Sequence, residues 1–305
     1  MTSPRSGQIT EILGGVYTVE TGAGSVEASL RGRLKREART DDRVVIGDRV
    51  TVLEGSGGEY TIESVEPRTS WVSRRTLGGR RGKVVASNLD RLLVCASVAE
   101  PAPSPPVIDR MLVMGESGGL ACAVILNKVD LVVDRAPVEA LADRYTGAGY
   151  DVIQTSIHTD EGAAAFHELL CSGSSALVGP SGVGKSSLVN WVEPSVSLRT
   201  KEVGRRSKAG RHTTVSSRII PLECGGRVAD TPGFSDVGVG GVAKADLDGC
   251  FPDFAPFLGE CRFRDCSHVH EPGCAVRQGL EDGLINTDRY DSYLSILDEL
   301  ADGDR

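Results

Sequence analysis

Two stretches of this chain place residue types at spacings suited to phosphate and to metal chemistry. The first is Gly179, Pro180, Ser181, Gly182, Val183, Gly184, Lys185 and Ser186, which fits G-x-x-x-x-G-K-[ST] in full. It follows the apolar run Ala176-Leu177-Val178 and precedes the helical pattern SSLVNWV, which opens with Ser186 and Ser187. That context is what the pattern needs. Glycines let backbone N–H groups turn inward around phosphate oxygens, and a helix N-terminus adds the positive end of its dipole. Lys185 is expected to reach the β- and γ-phosphates and to act in catalysis, while Ser186 ligates Mg²⁺. The second stretch is a cluster of Cys261, Cys266 and Cys274 with His268 and His270. Three thiolates and one imidazole suit a closed tetrahedral Zn²⁺ site, which points to a structural metal.

A phosphate loop alone does not choose between adenine and guanine nucleotides. Asn127-Lys128-Val129-Asp130 ends a buried-strand pattern, AVIL. From there the Asp130 carboxylate can accept hydrogen bonds from N1 and N2 of guanine, a donor pair that adenine lacks. Ser156 and Ile157 follow the next strand pattern, where a backbone N–H could meet guanine O6. Asp230-Thr231-Pro232-Gly233 ends a further strand, with Asp230 able to hold the Mg²⁺ shell and Gly233 able to sense the γ-phosphate. Between the last two elements lies Gly210-Arg-His-Thr-Thr214, whose Thr213 or Thr214 is placed to complete Mg²⁺ coordination. These elements together predict binding of GTP and GDP.

The elements that must position these residues fall into three units. Residues 1–75 read as short alternating strands punctuated by glycine turns, as expected of an OB-like β-barrel. The basic run Arg31, Arg33, Lys35, Arg36 and Arg39 sits on or beside it, a candidate RNA contact. Residues 76–240 alternate buried-strand runs with helical patterns, predicting a parallel sheet covered on both faces. Arg74–Lys83 reads as a Gly-rich basic linker or loop. Residues 241–305 carry the Cys/His cluster and an acidic helical end, a mostly helical zinc-binding module. The fold class is therefore multidomain: barrel, P-loop GTPase α/β domain, zinc module.

The order of the nucleotide elements is unusual. In Ras-like proteins the phosphate loop comes first and N-K-x-D late, whereas here Asn127 to Asp130 precedes Gly179 to Ser186 and Asp230 comes last. A circular permutation explains this without altering the sheet. It also runs the segment after Gly233 directly into the C-terminal module.

Bulk properties limit the remaining classes. The chain has 305 residues and a net charge of −8, which argues against indiscriminate nucleic-acid binding. Residues 1–91 nevertheless hold 15 basic against 12 acidic residues, so any RNA contact must use local patches. No apolar run suits a membrane span or an export signal, and a cytoplasmic protein with no membrane partner is expected. Eight cysteines without an export signal do not suggest a disulfide framework. Cys95, Cys122 and Cys171 read as small buried hydrophobes, and Cys224 and Cys250 carry no assignment.

With a barrel, a permuted GTPase and a Cys/His module, the chain resembles the RsgA (YjeQ) family. The likeness includes Arg31-Gly-Arg33, Gly47-Asp48-Arg49-Val50, Asn88-Leu-Asp90, Asp109-Arg110, Gly210 to Thr214, Asp230 to Phe234 and Glu271-Pro-Gly-Cys274. It implies a GTPase of late small-subunit maturation, stimulated by the 30S subunit and its 16S rRNA and released on hydrolysis. A monomer is expected. Matched to the family, the zinc ligands are Cys261, Cys266, His268 and Cys274, so that His268 is preferred over His270. Ras-type enzymes place a glutamine directly after D-x-x-G, but here Phe234 stands there and cannot orient a water. The resemblance suggests His212 as the catalytic group that positions water, with Arg205, Arg206 and Arg211 as alternative sources of charge. A passive GTP-binding switch and a small-molecule phosphotransferase are the competing readings.

Overall fold

The computed structural model describes residues 3–32, 34, 43–75, 82–196, 198, 217–230 and 241–303. The N-terminal unit is built from β1 (Arg5–Leu13), β2 (Val16–Thr21), β3 (Gly24–Leu30), β4 (Arg49–Glu54) and β5 (Tyr60–Val65). Alternation along these strands sends Ile9, Val19, Ala28, Val50, Val52 and Ile62 to one buried face. β1 pairs with β2 on one side and β4 on the other, and β3 runs parallel to β5. The ring closes in the order β1-β2-β3-β5-β4, the expected OB-like barrel, and closure leaves no free edge among these strands.

β6 (Trp71–Arg75) and β7 (Gly82–Ser87) form a separate antiparallel pair. The stretch read as a linker therefore has strand at both ends, with Arg74 opposite Lys83 and Arg75 opposite Gly82. Glycine-rich composition signals a turn but not how far the flanking ladder extends into it. The barrel is fastened to this pair by Gly47 and Asp48. Gly47 sits at φ +88°, and a Cβ there would stand 1.8 Å from the Ser87 carbonyl oxygen. The buried Asp48 carboxylate accepts from the Val45 N–H at 2.8 Å, the Ser87 hydroxyl at 2.6 Å and Arg68 Nε at 2.7 Å. Asn88 completes the joint, donating to the Gly47 carbonyl at 2.9 Å and accepting from the Thr69 N–H at 2.9 Å.

The central unit runs β8 (Arg91–Ser97), α1 (Pro105–Ser117), β9 (Ala121–Asn127), α2 (Ala136–Gly147), β10 (Asp151–Thr155), α3 (Ala163–Cys171), β11 (Ser174–Val178), α4 (Lys185–Val192), β12 (Ser217–Pro221) and β13 (Arg227–Asp230). Its strand order is β10-β9-β8-β11-β13-β12, parallel except for β12. Both faces are covered. Leu92, Val94, Val124 and Leu126 pack into one core and Leu93, Cys95, Ala123 and Ile125 into the other, which is why these strands read as continuous apolar runs. β12 also pairs antiparallel with β1, Glu11 facing Arg218 and Ile12 facing Ser217. Barrel and central strands thus form one eleven-stranded sheet.

The C-terminal unit has 3₁₀ turns at Lys244–Asp246, Asp248–Cys250 and Pro252–Phe257, then α5 (Ala275–Glu281) and α6 (Thr287–Gly303). Phe251 and Phe254 stack at 5.1 Å, with Tyr293 edge-on to Phe251 at 5.4 Å. Arg289 of α6 is fully buried beside them. It donates to Asp109 of α1 at 2.7 Å and to Asp253 at 2.7 Å, and lies 4.6 Å over the Phe251 ring. Burial opposes its charge, but Asp253 and Asp109 more than offset that and raise its pKa. Two outer pairs, Arg110–Glu299 and Arg144–Asp288, join α1 and α2 to the same helix.

One expectation about cysteine is corrected. Cys171 and Cys224 form a disulfide, with Cα atoms 5.5 Å apart across 53 residues. The turn between β12 and β13 folds back onto the end of α3, a proximity that no sequence spacing announces. Among the described residues, no helix is long and apolar enough to cross a membrane.

Removing the guanidinium should leave two buried carboxylates unpaired. Arg289→Ala is therefore expected to destabilise the C-terminal unit by about 3–5 kcal/mol, read by urea unfolding. Arg289→Lys, which keeps the charge but not the forked geometry, should recover only part of that loss.

Candidate nucleotide site and metal centre

The parallel strands present their carboxyl ends on one side of the sheet. Ser97, Asn127 and Thr155 lie in register across β8, β9 and β10, and Val178 lies beside Val94. The chain leaves β8 toward β9, while β11 occupies the other flank of β8, so strand order reverses between β8 and β11. Open α/β sheets bind ligands in the crevice outside such a reversal. The loop of residues 179–184 leaves β11 at that point.

Sequence dictates this loop at two glycines. A Cβ on Gly179 would stand 2.2 Å from the Cys95 carbonyl oxygen, and one on Gly184, at φ +100°, 2.5 Å from Asn127 Nδ2. The loop is braced from the N-K-x-D element. Asn127, buried at the end of β9, donates to the Val183 carbonyl at 2.8 Å and accepts from Thr155 Oγ1 at 3.1 Å. Lys128, in a left-handed conformation, donates to the Gly182 carbonyl at 2.7 Å. With two loop carbonyls engaged from outside, the backbone N–H groups are free to face an anion. Asp130 follows in a short 3₁₀ turn and is half-buried.

Lys185 opens α4 and donates to the carbonyls of Gly179 at 2.6 Å and Pro180 at 3.0 Å. Burial lowers its pKa. Burial also pushes the neighbouring Cys95 thiol up to about 12, so the floor beneath the lysine is neutral. A phosphate would offer the ammonium a far better partner than two carbonyl oxygens. Ser186 and Ser187 lie in the same first turn, both half-buried. Ser156 is buried and its hydroxyl accepts from the N–H groups of His158 and Thr159, each at 3.2 Å, which shapes the turn containing Ile157. Trp191 of α4 donates to Asp160 at 2.9 Å, tying the phosphate-loop helix to that turn. Asp230 ends β13 and pairs with Arg218 at 3.5 Å. Gly233, His212, Thr213, Thr214, Phe234, Arg205, Arg206 and Arg211 lie outside the described residues, as do Arg33, Lys35, Arg36 and Arg39 of the basic run.

The second site lies in the C-terminal unit, where Cys261, Cys266, His268 and Cys274 bring four donor atoms within 4.8 Å of one another. His268 Nδ1 faces Cys261 Sγ at 3.6 Å and Cys274 Sγ at 3.4 Å, while its Nε2 stands 3.3 Å from Asp248 Oδ2. Nδ1 thus faces the cluster, with Asp248 fixing the ring from behind. Burial, with the neighbouring sulfurs, pushes the Cys266 thiol up to about 12. Three thiols this close ionise together only if a cation supplies the opposing charge, and a Cys₃His set is compatible with zinc. The loop is held by Glu271, which accepts from the N–H groups of Ser267, Val269 and His270 and from the Ser267 hydroxyl; these bonds hold its carboxyl well below the usual range. Tyr290 donates to the carbonyl of His268, itself at φ +60°. Asp248, Tyr290 and Arg289 escaped the sequence reading because each acts from a distant segment with no fixed spacing to the site.

An N-K-x-D element that precedes the phosphate loop in the chain yet meets it at the carboxyl end of the sheet defines a circularly permuted P-loop GTPase, a GTP hydrolase. The chain belongs to the RsgA GTPase family, whose model its residues 65–240 match. It is 45% identical over 304 residues to the small ribosomal subunit biogenesis GTPase RsgA of Gemmatimonas aurantiaca, covering 98% of this chain and 99% of that one. Among solved structures it is similar to YjeQ from Thermotoga maritima, with a TM-score of 0.78, 30% identity, and coverage of 98% and 99%. It is also similar to YloQ, a circularly permuted GTPase, at 0.74 and 28%, covering 98% and 96%.

Two outcomes are expected from this geometry. Asp130→Asn exchanges an acceptor pair for an amide that can donate to the C2 carbonyl of xanthine. GTP affinity should fall roughly 10–100-fold for each charged hydrogen bond lost while xanthosine triphosphate binding rises, read by fluorescent-nucleotide competition. Asp248→Ala should weaken zinc retention about 10–100-fold in a chelator competition, with the Cys266 and Cys274 thiols becoming faster to alkylate.

Proposed function

We propose that this chain hydrolyses GTP on the small ribosomal subunit during a late step of its maturation, and leaves when hydrolysis is complete. The observation that carries the GTP part is the phosphate loop at the strand-order reversal, braced by Asn127 and Lys128. The subunit part rests on the names of its relatives. In this reading the backbone of Gly179 to Gly184 cradles the phosphates, with Pro180 shaping the turn and Ser187 extending the contact into α4. Lys185 swings from the loop carbonyls to the β- and γ-phosphates. Ser186 and a threonine of the pair Thr213/Thr214 ligate Mg²⁺, Asp230 exchanges Arg218 for the Mg²⁺ shell, and Gly233 meets the γ-phosphate. Asp130 reads guanine, with Ser156 and Ile157 beside the base and Asn127 and Lys128 holding the loop. His212 positions the attacking water.

One Zn²⁺ held by Cys261, Cys266, His268 and Cys274 would stabilise the C-terminal unit; its role is structural. Next to these ligands, the Arg262 guanidinium lies 5.5 Å over the exposed Phe263 ring, a pair suited to phosphate and base contact in 16S rRNA. The chain acts as a cytoplasmic monomer that meets its RNA through local cations despite its net charge of −8.

The test is phosphate release from GTP, alone and with purified 30S subunits. Strong stimulation by 30S that Lys185→Ala abolishes is the expected result. His212→Ala should lower the stimulated rate by roughly 10²–10⁴-fold with GTP binding intact. Tight GTP binding with no stimulation by mature or precursor subunits would leave a passive switch instead.

A further inference from the structure

At the opposite end of the sheet from the phosphate loop, three side chains meet that GTP hydrolysis does not use. Cys171 ends α3, Cys224 lies in the turn between β12 and β13, and His167 stands one helical turn before Cys171. The His167 ring nitrogens lie 3.5 and 3.7 Å from Cys171 Sγ, and donor atoms of all three residues fall within 4.8 Å. We propose that Cys171 and Cys224 form a reversible dithiol–disulfide site that reacts with low-molecular-weight disulfides and clamps the β12–β13 hairpin to α3.

Three observations carry this. The sulfurs are bonded to each other, whereas Cys261, Cys266 and Cys274 stay unbonded although their sulfurs gather within 4.8 Å of one another. A Cys₃His metal set needs reduced thiols, so surroundings that keep it intact also open an accessible disulfide. Second, the two sulfurs differ in access: Cys224 is exposed and Cys171 half-buried, as suits an attacking thiol and a resolving thiol. Third, the imidazole of His167 is placed to accept the Cys171 proton and raise its thiolate fraction. The donors do not make a second zinc-type site, because only three are present and two are joined.

The exchange balances without a further reagent. The Cys224 thiolate attacks one sulfur of an external disulfide such as oxidised glutathione, forming a mixed disulfide and releasing one thiolate. The Cys171 thiolate then attacks Cys224 Sγ and expels the second. Two thiols of the protein become one disulfide, one external disulfide becomes two thiols, and the two protons pass to the released thiolates. Excess external thiol reverses both steps.

Closure acts on a part of the fold that leads to the nucleotide loops. The turn is packed tightly on α3, where a Cβ on Gly226 would stand 2.1 Å from the Leu170 carbonyl. From this turn β12 runs back to Ser217 and β13 forward to Asp230. A bond at Cys224 therefore fixes the hairpin at the end remote from Asp230.

The test uses the full zinc-loaded chain equilibrated across reduced-to-oxidised glutathione ratios, acid-quenched, alkylated and mapped by mass spectrometry. A Cys171–Cys224 linked peptide should go from absent to dominant and vanish again on reduction, while Cys95 and Cys250 remain alkylable after denaturation. Hydrogen exchange across residues 222–230 should slow several-fold on closure, an effect lost in Cys224→Ser. His167→Gln should slow closure without changing the final ratio. A linked peptide absent at every ratio, one persisting in the most reducing buffer, or a glutathione adduct on Cys224 that never resolves would each overturn the proposal.

Discussion

A loop that binds phosphate through its backbone N–H groups cannot also be held by those groups, so its rigidity must come through its carbonyls. In this chain Asn127 and Lys128 supply it, gripping Val183 and Gly182 from the end of β9, across β8. The side chains nearest Asp130 thus shape the loop of residues 179–184. In the proposed reading, base recognition and phosphate recognition share one small network, reaching β10 through Thr155. Displacing β9 relative to β11 would damage both at once. The close approach of Gly184 to Asn127 shows how little slack that network has.

Around this centre the units are joined by buried charge and by shared strands. Arg289 places a cation between Asp109 and Asp253, in an aromatic surround that excludes water. A pair of this kind adds little net stability over an apolar replacement, but it penalises any other docking of the C-terminal unit, since misplacement strands a charge. Asp48 performs the same office at the barrel with Arg68 and Ser87. Both joints involve short motifs that were visible as family likeness, Gly47-Asp48 and Asp109-Arg110, and the structure gives each a physical reason.

What was legible from sequence was whatever a local pattern encodes. The phosphate loop, the strand-end placement of Asn127 and Asp230, and the bounds of α4 all follow from glycine spacing and apolar periodicity within a dozen residues. The barrel and the two-sided sheet were equally plain, because alternating and continuous apolar runs are burial patterns. The rest depends on distant segments meeting. Nothing in the Cys171 neighbourhood points to Cys224, nothing near His268 points to Asp248, and the strand pairing at Arg74 and Lys83 is hidden by a composition that resembles a loop. Arg289 looked like one charge among many on an acidic helix; only its packing against α1 distinguishes it.

The pairing of β1 with β12 bears on the order in which the chain can assemble. The barrel closes using residues no later than Val65, so it can form as soon as its own strands exist. Its junction with the central sheet waits for Arg218 to reach Glu11, and Arg289 arrives later still. During synthesis the barrel must therefore stand with the far end of β1, beyond the stretch that pairs with β4, uncovered while most of the chain is made. Contacts of such long sequence separation are the slow ones. The exposed strand edge has a ready defence in Glu11, whose charge discourages pairing with stray chains until Arg218 arrives opposite it.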